Sequence, residues 1–178
     1  VFGNIFGYKE QIEVIEQGME QIYSHQHNME KWIGLAAVPN GEIHRADLMN
    51  GVILPFRLIA GNNDFGAWVQ ILGSSDTPIK AGMTKASGHR FMVTSTNSTS
   101  QYIIQAIPGE SADLAANILA KNFTMFPYIA ATNNNDSGIS DILAGRIDSG
   151  TKAWWRVACV GQNATTLDFY LGIHEYLE

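Results

Sequence analysis

The chain has 178 residues and a formal net charge of −6, with 46% apolar but only 16% charged residues. That length suits one domain plus an appendage, with enough chain to bury a sizeable core. Lys and Arg nowhere cluster, and no apolar run approaches the roughly 20 residues that span a bilayer, so neither nucleic acid nor a membrane is an expected partner.

Asn, Thr, Ser and Gly replace the missing charges, a mix that suits strands and polar turns. A single cysteine, Cys159, excludes an intrachain disulfide framework and fits synthesis in a reducing cytoplasm. No basic-then-apolar signal peptide opens the chain, and Val1 at the start suggests a removed Met or a trimmed precursor.

Residues 1–36 carry the first pattern. Ile5, Tyr8, Ile12, Ile15, Met19, Ile22, Gln26, Met29, Ile33 and Ala36 recur at alternating spacings of three and four. That is the a/d period of a coiled coil and predicts an N-terminal helical stalk. Ile at both core positions (Ile12, Ile15) favours more than two strands, which points to a trimer, and Gln26 is a polar core residue of the kind that sets register. Ile12, Ile15, Met19, Ile22, Gln26 and Met29 are therefore the expected oligomer interface. The same spacing also fits one amphipathic helix lying on its own β-domain, although such a helix usually shows a wider apolar stripe.

Val38-Pro39-Asn40-Gly41 ends the helix and marks the expected boundary, with residues 37–178 as the second domain. Beyond it the period falls to two. Strands are expected at 42–47, 51–59, 65–72, 89–95, 101–107, 124–131, 140–147, 152–160 and 166–175, each bounded by Gly, Asn, Asp, Ser or Pro. This series predicts a mainly β protein, a sandwich or barrel of antiparallel strands. In 166–174, Leu167, Phe169, Leu171 and Ile173 should face the core, with Asp168, Tyr170 and His174 facing solvent or a neighbour. Trp155, Val157 and Cys159 should point inward, opposite Lys152, Trp154 and Arg156. The Ala- and Leu-rich segment 110–120 suits a short helix capped by Ser111.

No stretch carries recognisable catalytic chemistry. His25 and His27 are two apart on the expected helix and diverge, so one chain cannot chelate with both. Asn133 through Gly138 starts like a calcium loop, but Ala144 stands where the bidentate Glu belongs. Cys159 lies on the expected core face and no Gly-flanked nucleophile elbow exists. No catalytic residue, metal or cofactor is expected, and the reading is non-enzymatic. Trp154, between Lys152 and Arg156, is an outward Trp suited to an interface or a sugar platform, with Trp68 and Tyr170 as its candidate companions.

A heptad stalk before an Asn/Thr-rich β-domain resembles the trimeric structural proteins of tailed-phage virions, such as capsid decoration (cement) proteins and head fibres. Ile53-Leu54-Pro55-Phe56-Arg57-Leu58, the Asn/Asp turns and the closing Phe169-Tyr170-Leu171-Gly172-Ile173-His174-Glu175-Tyr176 carry the likeness. The resemblance implies a jelly-roll-like antiparallel sandwich, a homotrimer, and attachment to the major capsid protein in a virion assembled in the host cytoplasm. The alternative is a carbohydrate- or receptor-binding sandwich of a phage fibre. If the heptad is an intersubunit seam, Ile15→Asp places like charges in one core layer and dissolves the trimer. An unchanged mass by light scattering would place the seam elsewhere.

Overall fold

A computed structural model describes residues 31–36, 45–48, 53–73, 83–129, 139–142 and 144–176. Within them run β1 (Lys31–Ala36), β2 (Arg45–Asp47), β3 (Ile53–Leu54), β4 (Phe56–Ile59), β5 (Val69–Leu72), β6 (Lys85–Thr96) and β7 (Gln101–Pro108). A 3-10 turn (Ser111–Asp113) and helix α1 (Leu114–Leu119) follow. The chain closes with β8 (Thr124–Ile129), β9 (Ile139–Asp141), β10 (Ile147–Asp148), β11 (Ala153–Cys159) and β12 (Thr166–Tyr176). The described protein is mainly β, and every expected strand segment contains at least one strand.

The N-terminal helix fares differently. Residues 31–36, the end of the expected stalk, are a strand. Lys31, Trp32 and Ile33 pair with Ile173, Gly172 and Leu171 of β12, and Ile33 is fully buried. Aromatic and β-branched side chains favour this extended state, and Gly34 disfavours a helix. Gly34 also serves the sheet directly. A Cβ there would fall 2.5 Å from Ile53 Cγ2 and 3.0 Å from Tyr170 Cδ1, so only glycine lets β3 and the tyrosine ring close over β1. The remaining heptad positions, including Ile12, Ile15, Met19, Ile22, Gln26 and Met29, lie outside the described residues.

Two antiparallel sheets face each other. In the larger, β12 is central and pairs along its whole length with β6. Its other edge is shared end to end by β1 and β4, with β3 pairing to β1 just before Pro55. β2 lies beyond β1, and β9 and β10 share the far edge of β6. The smaller sheet has the order β5–β11–β7–β8.

The core between the sheets is aromatic. Trp155 of the smaller sheet stacks on Phe169 of the larger, centroids 5.1 Å apart and planes 8° from parallel. Phe91 meets Phe126 at 5.4 Å and Tyr128 at 5.5 Å from the opposite side. Each ring removes a large apolar area from water, and tilted or offset ring pairs add about 0.5–1.5 kcal/mol beyond area. Tyr102 is wholly buried in this layer, and its hydroxyl donates to the Thr166 carbonyl 3.1 Å away, tying β7 to the start of β12. Burial raises the pKa of Tyr102 and of Tyr128.

The alternation of β11 is as expected: Ala153, Trp155, Val157 and Cys159 are buried. On β12 the inward set Leu167, Phe169, Leu171 and Ile173 is buried too, but its other face is not solvated throughout. Asp168 is 5% exposed and His174 is 8% exposed. Arg57 grips Asp168 with a fork, Nε donating to Oδ1 at 2.7 Å and Nη2 to Oδ2 at 2.6 Å. His174 stacks on His89 at 4.3 Å. A bulge beside Gly172 leaves His89 as the extra residue of β6, which brings the two rings together.

The segment 110–120 does form a short helix. Ser111 opens the preceding turn instead of capping, and Asp113 at the cap makes no side-chain cap bond. The helix ends in a Schellman motif: Lys121 N–H donates to Ile118 O at 3.0 Å and Asn122 N–H to Asn117 O at 2.8 Å. Lys121 occupies the left-handed position (φ 57°) that glycine usually fills. Lys121→Gly should therefore stabilise the protein by about 0.5–1 kcal/mol in urea denaturation. A loss of stability would mean that the lysine side chain makes a compensating contact.

Candidate functional site

The alternation that sends Trp155 inward sends Trp154, Arg156 and Ala158 to the outer face of the smaller sheet. There Trp154 lies opposite Ile107 on one side and Gln70 on the other, and Arg156 lies opposite Gln105. One strand further, Met125, Pro127 and Ile129 of β8 sit opposite Gln105, Ile103 and Gln101. This outer face is thus a continuous surface from Trp68 to Ile129.

Its two ends differ. At the β5 end Arg156 organises a rigid cluster. Its guanidinium carbon lies 4.3 Å from the Trp68 ring centre and 4.6 Å from that of Phe65. Its Nε donates to Gln105 Oε1 at 2.7 Å, which supplies a partner for a buried amide. Burial pulls the Arg156 pKa down, and Asp64 pulls it back up. An arginine stays charged under either influence, so the cation is held by ring faces and an amide dipole. Trp154 is fixed by its edge, with Nε1 donating to Gly109 O at 2.9 Å. Lys152 and Glu110 pair at 2.7 Å beside it.

The β8 end is apolar and open. Ile129 is 70% exposed and Met125 is 47% exposed, and Pro127 between them is exposed as well. β8 is the last strand of its sheet among the described residues. Proline has no N–H to give a further strand, and edge strands carry it with its nitrogen turned outward. This edge resists extension by another strand, which leaves the side-chain face of β8 as its exposed surface.

The three platform candidates do not converge. Trp68 and Trp154 share the outer face of the smaller sheet, and one face of the Trp68 ring is taken by Arg156. Tyr170 belongs to the other sheet, where its hydroxyl donates to Ile53 O at 3.0 Å. Sequence reasoning missed Met125, Pro127 and Ile129 as surface residues, because Phe126 and Tyr128 between them are also apolar and no polar alternation marks the outer side. It also missed the clamp of Arg156 on Trp68, two segments far apart in the chain. Cys159 is buried as expected. Among the described residues no three His, Cys, Asp or Glu side chains converge as a metal site. No described helix is long and apolar enough to cross a membrane. His25, His27 and residues 133–138 lie outside the described residues.

No known protein family, curated protein or solved structure matches the chain. What the described residues define is a class: a mainly β protein of two facing antiparallel sheets.

Arg156→Lys should cost about 1–3 kcal/mol in urea denaturation, since an ammonium loses the planar stack and leaves Gln105 Oε1 without its donor. Wild-type stability would show that Gln105 finds another partner.

Proposed function

We propose that this chain is a non-enzymatic structural protein of a tailed-phage virion, a capsid decoration protein that assembles as a homotrimer and binds the major capsid protein. The fold proposed with it is a jelly roll, and the strand order supports this. β4–β12–β6–β9/β10 in one sheet faces β5–β11–β7–β8 in the other. Following the chain from β4, each step crosses to the opposite sheet except β7 to β8 and β9 to β10. This path fits the winding of two interlocked Greek keys, an architecture used by viral capsid proteins and by lectins. Because one fold hosts many functions, the surface has to carry the choice.

The observation that carries it is the open apolar face of β8. An exposed Ile, Met and Pro in one row, beside a proline-blunted edge, suits a face-to-face protein contact. Covering the exposed parts of Met125 and Ile129 contributes about 1–2 kcal/mol each per subunit. The polar pairs of the described residues mostly tie strands together: Arg57 to Asp168, Arg90 to Asp141 at 2.6 Å, and Arg156 to Gln105. The heptad of residues 5–29 supplies the sequence-based reason for three copies.

Light scattering on the full chain should give a trimer mass. Ile129→Asp should weaken the trimer or abolish co-sedimentation with heads assembled from the major capsid protein of the same phage. A monomer at all concentrations, or unaltered trimerisation and head binding by Ile129→Asp, would overturn this role for the surface.

A further inference from the structure

One end of the sandwich is open. Between the two sheets lies a cleft of about 230 Å³. Its walls are apolar side chains of both sheets, among them Leu72, Ala106, Ala153, Trp155 and Leu171. Gly88 keeps one wall thin. A Cβ there would press to 3.3 Å from Ile142 Cδ1 and 3.4 Å from Leu171 Cδ1. At the rim stand Lys121 and Asn122 from the end of α1, and Arg146 from the approach to β10.

The charged side chains among the described lining residues share one sign. Lys121 and Arg146 are the charged residues of the described lining, and no carboxylate is among them. This runs against a chain whose net charge is −6. Arg146 is steadied by Tyr176, its guanidinium carbon 4.3 Å from the ring centre. Lys121 stands at φ 57°, the left-handed position that closes α1. An apolar bore behind a cationic rim is complementary to a fatty carboxylate.

We infer that this end cleft binds a medium-chain fatty carboxylate, its alkyl tail between the sheets against Trp155 and Leu171 and its carboxylate between Lys121 and Arg146. Size supports the class: an apolar cavity of about 150 Å³ accepts benzene, so this one suits a tail on the order of nine carbons. The site is separate from the outer face of the smaller sheet and does not depend on the virion reading.

The test is calorimetric titration of the full chain with decanoate and with decyltrimethylammonium, both below their micelle concentrations. Decanoate is expected to bind once per chain, about tenfold tighter than the cationic analogue. Lys121→Gly should weaken decanoate about two- to fivefold while raising the unfolding temperature, a pairing that a merely structural lysine does not produce. Ala144→Phe, at the rim, should block both ligands. No heat with decanoate, equal affinity for the two head groups, or unaltered decanoate affinity in Lys121→Gly would overturn the proposal.

Discussion

Everything described in this protein hangs on the stack of Trp155 against Phe169. The two residues belong to different sheets, and their rings lie nearly parallel at 5.1 Å. Phe56 joins Phe169 from one side at 5.6 Å, and Phe126 joins Trp155 edge-on at 5.4 Å. A sheet has one strongly apolar face and must cover it, and this cluster is where the two cover each other. Once Trp155 is fixed inward, the pleat of β11 has no freedom left. Trp154 and Arg156 must face outward, and Trp155 itself becomes a wall of the end cleft. Core, outer surface and cleft are three consequences of one strand's register.

The larger sheet shows how the chain treats polar groups. Asp168 is buried on the strand that carries Phe169, a placement that is unfavourable for a lone carboxylate. Arg57 meets it with both arms of its fork from β4, and the carboxylate in turn holds the guanidinium more firmly protonated than usual. Thr94 on the other neighbouring strand donates to the Asp168 carbonyl at 3.2 Å. These bonds fix the mutual register of three strands. Charge in this part of the molecule locks strand order, while apolar groups remain available outside.

Local pattern made much of the fold legible and failed where partners were distant. The inward residues of β11 and β12 could be read because polar and apolar residues alternate there. β1 could not. Ile33 and Ala36 fit a heptad, and nothing within the segment reveals that Leu171 and Ile173 wait to pair with it across the sheet. Asp168 reads as solvated until Arg57, 111 residues away, is known to reach it. β8 is apolar on both sides, so the pattern of residues 124–129 identifies a strand but not its outward face. Trp68 reads as an exposed ring because the guanidinium that covers it comes from β11, a neighbour in the sheet that is distant in sequence.

The clasp between the sheets is open to direct measurement by a double-mutant cycle on Trp155→Leu and Phe169→Leu, with stabilities from urea denaturation. If the stacked pair holds the sheets together as a unit, the double variant will depart from the sum of the single variants by about 0.5–1.5 kcal/mol. Additivity within about 0.3 kcal/mol would show two independent apolar residues and would remove the stack as the organising contact.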